Sequence, residues 1–419
     1  MTELLIQMVA VLFTALVCGL IARKIGQPRV IGEIVGGILL GPSFFGRIAP
    51  QTFARLFPQG SFGPFEVFST LGLVLFVFLI GSQLDIEHFS RQKKTAALAS
   101  GMSILVPCVL AFVLAPSLRT RFAPQGVGSV AFLLFLCVSM SITAFPVLAR
   151  ILEERGMLFT RLGTTALMCA AADDVGAWIV LAFGLTLIPH REQAMGLTYR
   201  LACLFAYLIG MLGILLPFSN RYAERIRRHR SAVLSHETLV VIVLCVLTSA
   251  AATEAMGVHP LFGAFIAGIC FPRIPKWQNT VRARFQTAVT VLLLPFFFVL
   301  TGMRTRLDLL SYGTIWLWTG LIVAVAVAGK MGGAVLASRW SGESWQDAFT
   351  LGALLNTRGL VELIVLNIAY DAHVFSATLF TMLIAMALIT TMMTAPLLNL
   401  LGVHKSARRG GISPSLGPV

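Results

Sequence analysis

The chain has 419 residues, of which 57% are hydrophobic and only 12% charged, with a mean hydropathy of +0.87 and a formal net charge of +14. Soluble domains carry roughly 25% charged residues, so a water-soluble fold has no surface to suit this composition, and the whole reads as one membrane domain with no soluble domain attached. The basic excess is not interleaved with aromatics as in single-strand binders, which argues against nucleic acid as a partner and for loops anchored on the cytoplasmic side of a bilayer.

A membrane-crossing helix needs about 20 mostly apolar residues. Apolar runs predict an all-α polytopic protein of thirteen spans: 4–22, 29–45, 65–84, 95–115, 128–151, 160–189, 196–218, 236–256, 258–272, 285–303, 312–338, 348–370 and 375–400. The first is preceded by Glu3 and no basic residue, unlike a signal peptide, so it is expected to stay as a helix. The ninth is short and follows His259-Pro260. With the N-terminus outside, 22 Lys and Arg fall in inside loops and 8 in outside loops, which predicts an outside N-terminus, a cytoplasmic C-terminus and an odd number of spans. Residues 404–419 are a short polar cytoplasmic tail. All seven cysteines, Cys18, Cys108, Cys137, Cys169, Cys203, Cys245 and Cys270, lie in apolar runs without metal-ligand spacing, so neither disulfides nor zinc are expected.

Two pieces of sequence recur. Phe76-Val77-Phe78-Leu79-Ile80-Gly81, followed by Asp85, resembles Phe297-Phe298-Val299-Leu300-Thr301-Gly302, followed by Asp308. Gly32 to Ile38, ending at Gly41-Pro42, resembles Gly263 to Ile269, ending at Phe271-Pro272. Offsets of 221 and 231 residues map span three onto span ten and span two onto span nine. A shift of seven spans reverses the direction of crossing. The prediction is two inverted halves, 4–189 and 236–400, joined by a linker helix at 196–218, and inverted repeats place a transport site near the midplane.

Charged groups at the bilayer centre cost about 2.5–3.5 kcal/mol each on the insertion scale, so each one needs a reason. Asp173 and Asp174 lie midway along span six, Lys330 in span eleven, Arg358 and Glu362 in span twelve and Glu33 in span two. Adjacent helical residues diverge by about 100°, so the two acids can line different parts of one cavity. A carboxylate must lose its proton to bind a hard cation, and that competition is exchange chemistry. The alternative is that the acids only pair with Lys330 or Arg358 to hold helices together. Arg358 and Glu362, four residues apart, suit a structural ion pair equally well; the role of Glu33 stays open. Span five contains Ser139-Met140-Ser141-Ile142-Thr143-Ala144-Phe145-Pro146 and span twelve Asn356-Thr357-Arg358-Gly359. Small polar residues, Pro and Gly loosen a membrane helix, so Thr143, Pro146, Asn356, Thr357 and Gly359 mark candidate breaks; an ordinary proline kink is the bland reading.

These segments resemble the monovalent cation:proton antiporter-2 family, and most closely the bacterial relatives of plant cation/H⁺ exchangers. Ser141 to Leu152 is similar to its first crossing helix, and Ala172-Asp173-Asp174-Val175-Gly176-Ala177-Trp178 to its ion-binding motif. Val258 to Gly268 and Asn356 to Leu363 are similar to its other recurrent segments. The resemblance covers residues 5–400. It implies a sodium/proton antiporter fold with two crossed, broken helices, a core and a dimerisation part moving like an elevator, and a homodimer in the cell membrane. It implies Asp174 as carrier of cation and proton, Asp173 as its partner acid and Lys330 as the facing core charge, with Na⁺ or K⁺ and H⁺ as substrates and no cofactor or resident metal. Relatives with a nucleotide-binding C-terminal domain are ligand-gated; the short tail here gives no reason to expect that. A sodium-coupled symporter of an organic anion on a related inverted-repeat scaffold is the alternative, disfavoured by the Asp pair facing a lone Lys. A membrane enzyme or sensor would need a catalytic cluster or signalling domain that the sequence does not display. Finally, counting charge on Asp173, Asp174 and Lys330 predicts electrogenic exchange of two protons for one cation.

Overall fold

The computed structural model describes residues 2–58, 60–83, 93–157, 160–186, 197–228, 234–256, 260–310 and 313–403. Asp85 of the repeat, Val258-His259 at the start of the ninth predicted span, the ends of the sixth and seventh at 187–196, and the 404–419 tail lie outside these. In chain order the helices are α1 (Thr2–Lys24), α2 (Arg29–Leu40), α3 (Phe45–Ile48), α4 (Pro50–Leu56), α5 (Gly63–Gln83), α6 (Lys93–Phe122), α7 (Ser129–Ser141), α8 (Phe145–Glu154), α9 (Arg161–Thr186) and α10 (Leu197–Leu208). A π-helical stretch (Ile209–Leu215) leads into α11 (Leu216–Arg228), followed by α12 (His236–Ala255), α13 (Pro260–Ile269), α14 (Pro275–Ala288), α15 (Leu294–Arg304), α16 (Gly313–Trp340), α17 (Trp345–Leu355), α18 (Leu360–Asp371) and α19 (Ala377–Leu400).

Among the described residues nine helical stretches are long and apolar enough to cross a membrane, and α17 with α18, bent by 43° at their break, makes a tenth. That is fewer than the thirteen predicted. The other three predicted spans fall on α7 with α8, on α9 and on α13. The first is broken into 13 and 10 residues, the second carries the two acids, and the third has 10 residues, which at 1.5 Å per residue covers about half of a 30 Å hydrocarbon core. Large apolar side chains such as Leu5, Val9 and Phe13 on α1 and Phe205, Ile214 and Phe218 from α10 to α11 face outward, as lipid contact requires.

Helices α1, α2, α5, α12, α13 and α15 pack chiefly on one another, and α6 to α9 with α16 to α19 form a second group. The first group is built on the recurrent glycines. Helix α2 lies against α15 where a Cβ on Gly37 would strike the Val299 carbonyl and one on Gly302 the Ile34 carbonyl. Helix α5 lies against α13 in the same manner, Gly81 on the Phe265 carbonyl and Gly268 on the Phe78 carbonyl. The pattern extends further: Gly32 abuts the Cys18 carbonyl on α1 and Gly263, 231 positions on, abuts the Ser249 carbonyl on α12, also 231 positions on. The repeated residues are therefore repeated contacts, each of which needs a residue without a side chain so that two backbones can meet.

Candidate functional site

The second group of helices holds both breaks. α7 stops at Ser141, and Ile142 is already extended (φ −72°, ψ 140°). The chain resumes helix at Phe145. Pro146 is the second residue of α8, where the N–H it lacks has no helical acceptor anyway. α17 stops at Leu355 and α18 starts at Leu360, with residues 356–359 between. The two breaks meet. The Ala144 amide donates to the Thr357 carbonyl (3.0 Å), and the Thr143 hydroxyl lies 2.9 Å from the Leu355 carbonyl. Gly359 is glycine for want of room: a Cβ there would sit 2.8 Å from Val147 Cγ2 and 3.1 Å from Ala144 Cβ. Thr357 and Arg358 are tied to α19, the former through Thr394 (3.3 Å) and the latter through Thr391, whose hydroxyl accepts from the Arg358 amide (3.0 Å) and reaches its carbonyl (2.7 Å).

Broken helices expose terminal carbonyls, and the partial negative charge there favours cations. Two buried cations serve α7. Arg358 donates to the Ser139 and Met140 carbonyls at 2.7 Å each, and Lys330, reaching in from α16, donates to the Ser141 carbonyl. Both side chains are completely buried. Arg358 also meets Glu362 at 3.3 Å, the predicted i,i+4 pair. Its capping of the partner half-helix, 218 and 219 residues away, is a role that the sequence spacing did not reveal.

Asp173 and Asp174 are both buried on α9 but live in opposite surroundings. Asp173 is saturated: Lys330 donates at 2.6 Å and Thr143 lies at 2.7 Å, both on Oδ2, while Ser100 of α6 donates to Oδ1 at 3.1 Å. Asp174 has no hydrogen-bond partner on either oxygen among the described residues. Its carboxyl faces the backbone amide of Phe145, the first of α8, where a helix N-terminus favours negative charge. An unpaired buried polar group costs roughly 1–3 kcal/mol, and an ionised carboxylate more. A side chain in that position is suited to something that arrives, whether proton or cation. Asn356 is also fully buried with neither amide atom partnered among the described residues.

Thus the structure brings Asp173, Asp174, Lys330, Thr143, Asn356, Thr357, Arg358, Gly359 and Glu362 to one crossing. Pro146 belongs to it by backbone position. Ser100 was missed; a lone serine in an apolar run gives no distinguishing signal. Glu33 stands apart on α2, half-buried, near Gly19 of α1.

Residues 12–400 match the family model described as "Sodium/hydrogen exchanger, transmembrane". Among relatives, the Na⁺/H⁺ antiporter NhaS4 of Synechocystis sp. is 36% identical, over 94% of this chain and 96% of that protein. K⁺/H⁺ antiporter 1 of Saccharomyces cerevisiae is 31% identical over 96% of this chain, which spans only 46% of the yeast protein. Among solved structures, the sodium proton antiporter MjNhaP1 of Methanocaldococcus jannaschii at pH 8 superposes with a TM-score of 0.67 over 96% of this chain and 99% of that one, at 15% identity.

Proposed function

Because this chain belongs to the sodium/hydrogen exchanger family, we propose that it is a secondary antiporter exchanging Na⁺ or K⁺ for H⁺, with Asp174 as the group that holds each in turn. The observation that carries this reading is the contrast between the acids. A carboxyl already satisfied by Lys330, Ser100 and Thr143 has little capacity left for a ligand, whereas Asp174 is buried beside the crossing with neither oxygen hydrogen-bonded among the described residues. Proton and cation compete for it because a protonated carboxyl cannot ligate a hard cation. Lys330 and Arg358 are the fixed counter-charges, holding the end of α7 and keeping the site electrically balanced in a low dielectric. The breaks at Thr143 and Asn356–Gly359 set both half-helix ends beside the ion.

The reading extends to architecture. Thirteen crossings result when α7 with α8, α9 and α13 are counted with the ten clear spans, and the chain then divides into inverted halves at 4–189 and 236–400 with 196–218 as linker. The duplicated glycine contacts support this. So does the partition into two helix groups, taken as a dimerisation scaffold and a transporting core within residues 1–403. The distribution of Lys and Arg supports an outside N-terminus and a cytoplasmic C-terminus. A homodimer through the first group fits the outward apolar face of α1. In proteoliposomes with Na⁺, K⁺ and Li⁺ tested separately, wild-type protein dissipates a pH gradient on cation addition, and Asp174→Asn protein that is folded and inserted does not. Retained exchange in that variant refutes the carrier assignment.

A further inference from the structure

Two asparagines sit deep in this protein and are treated in opposite ways. Asn367 on α18 is fully engaged: its Nδ2 donates to Thr301 Oγ1 (3.0 Å) and to the Leu363 carbonyl (2.8 Å), and its Oδ1 accepts from Arg304 (3.1 Å). Asn356 is buried more deeply still, yet neither Oδ1 nor Nδ2 has a partner among the described residues. Its side chain therefore adds nothing to the hydrogen bonding of the described residues. The backbone on either side does that: Leu355 receives Thr143 and Thr357 receives Ala144.

Those same contacts fix where Asn356 lies. Residues 355–357 run past 143–144, and the Asp174 carboxyl faces the next amide along, that of Phe145. The two residues, neither side chain partnered among the described residues, thus flank one crossing from two sides, Asp174 from α9 and Asn356 from the gap between α17 and α18. We propose that Asn356 is a specificity-determining ligand of the transported cation, its amide oxygen sharing the ion with the Asp174 carboxyl. This rests on the exchange reading above and adds to it a residue that contacts the cation and never the proton.

The chemistry divides the work between the two. A hard monovalent cation leaving water needs several oxygens in place of its hydration shell. A carboxylate supplies two at most, and Asp173 is committed to Lys330, Ser100 and Thr143. An amide oxygen is a good neutral ligand that does not take up a proton at any working pH. Its presence tilts the competition toward the cation without altering the affinity of Asp174 for H⁺, and the length of its side chain influences which ionic radius fits.

The test uses the full-length protein in proteoliposomes, with the Asn356→Leu and Asn356→Ser variants assayed against Na⁺, K⁺ and Li⁺. Leu removes the oxygen and breaks no side-chain hydrogen bond among the described residues. Asn356→Leu is expected to raise the half-saturating cation concentration by about tenfold, the factor that corresponds to losing one contact of roughly 1.4 kcal/mol. Its pH profile at saturating cation should match wild type. Asn356→Ser keeps an oxygen on a shorter arm and should shift the Na⁺ to K⁺ ratio with a smaller loss of affinity; if the leucine variant does not insert, the serine variant carries the test. Unchanged half-saturation and an unchanged ion ratio overturn the proposal, as does an equal fall in maximal rate for all three ions with half-saturation intact, which marks a merely structural residue. Wild-type vesicles without cation-driven proton flux overturn the exchange reading and this proposal together; wild-type flux with an unaltered variant overturns this proposal alone.

Discussion

Replacing Lys330 by Met tests whether the buried charges are balanced as the geometry implies. In the wild type the ammonium sits 2.6 Å from Asp173 Oδ2 with neither side chain exposed, and it also caps the Ser141 carbonyl. Breaking a buried pair by removing one partner costs roughly 3–5 kcal/mol, because the other charge is stranded in a low dielectric. Ser100 and Thr143 remain on Asp173 and offset part of this, so Lys330→Met should destabilise by about 3 kcal/mol. Adding Asp173→Asn removes the stranded charge, while its amide oxygen accepts from one of the two hydroxyls and its NH2 donates to the oxygen of the other. The double variant should therefore regain about 2 kcal/mol over Lys330→Met alone, and the pair should show a coupling energy well above the ~0.5 kcal/mol expected of independent sites. Denaturant or thermal unfolding of the four proteins in detergent gives the cycle. A double variant no more stable than Lys330→Met refutes the reasoning, since the lysine would then matter for packing rather than for charge.

Two further outcomes concern the scaffold. Gly37→Ala and Gly268→Ala should destabilise the protein by similar amounts, about 1–3 kcal/mol each by overpacking, whereas Gly101→Ala and Gly332→Ala, where a Cβ meets nothing, should not; unfolding temperatures compare the four, and unequal losses within the first pair count against a duplicated contact. Arg304 ties Glu66 of α5 and Asp371 and Asn367 of α18 together at 3.0–3.1 Å; since both ion pairs are part-exposed, Arg304→Gln should lose only about 1 kcal/mol, measurable in the same way, and a loss several times larger would show the network to be drier than its exposure implies.

Much of the site is legible in the sequence because the bilayer makes polar residues conspicuous. Two adjacent acids, a lysine and a Thr-Arg-Gly run cannot hide in apolar segments, and the hydroxyl-rich stretch before Pro146 marks its own break. What the sequence does not carry is pairing at a distance. The sequence allows Lys330 to pair with the acids without saying which one, and it finds Asp173 across 157 positions; the capping of the α7 carbonyls by Arg358 across more than 200 positions has no counterpart in the sequence, where the spacing points to the local Arg358–Glu362 pair. The difference between a partnered Asp173 and an unpartnered Asp174 likewise follows from which way each turns in the folded bundle. The span count suffers from a related blindness: an apolar run looks the same whether it crosses fully or stops after the 10 residues of α13.

The hydrogen bonding at Asp173 bears on how many protons accompany each cation. The Thr143 hydroxyl lies within reach of two acceptors, Asp173 Oδ2 at 2.7 Å and the Leu355 carbonyl at 2.9 Å, but it has one proton to give. While Asp173 is ionised, one of the two goes without. A protonated Asp173 resolves this: it donates to Thr143, Thr143 donates to Leu355, and Lys330 and Ser100 still donate to the carboxyl. That arrangement completes every bond with Lys330 charged. On the charge count drawn from the sequence, Asp173 would take up one proton and Asp174 another in the proton-loaded state. With both acids neutral and Lys330 charged the cluster carries +1; with both ionised and one cation bound it is neutral. On that count two protons would exchange for one cation, with net charge crossing with the protons. At a fixed cation gradient, the membrane potential that stops exchange should move by about 118 mV per pH unit, twice the ~59 mV step of a single charge. Asp173→Asn cannot take up the second proton, and exchange in that variant should become one for one and insensitive to voltage. Proteoliposomes clamped at several potentials with set ion gradients read both values. A wild-type reversal point that ignores voltage, or an Asp173→Asn protein that keeps the wild-type dependence, contradicts the assignment of the second proton to Asp173.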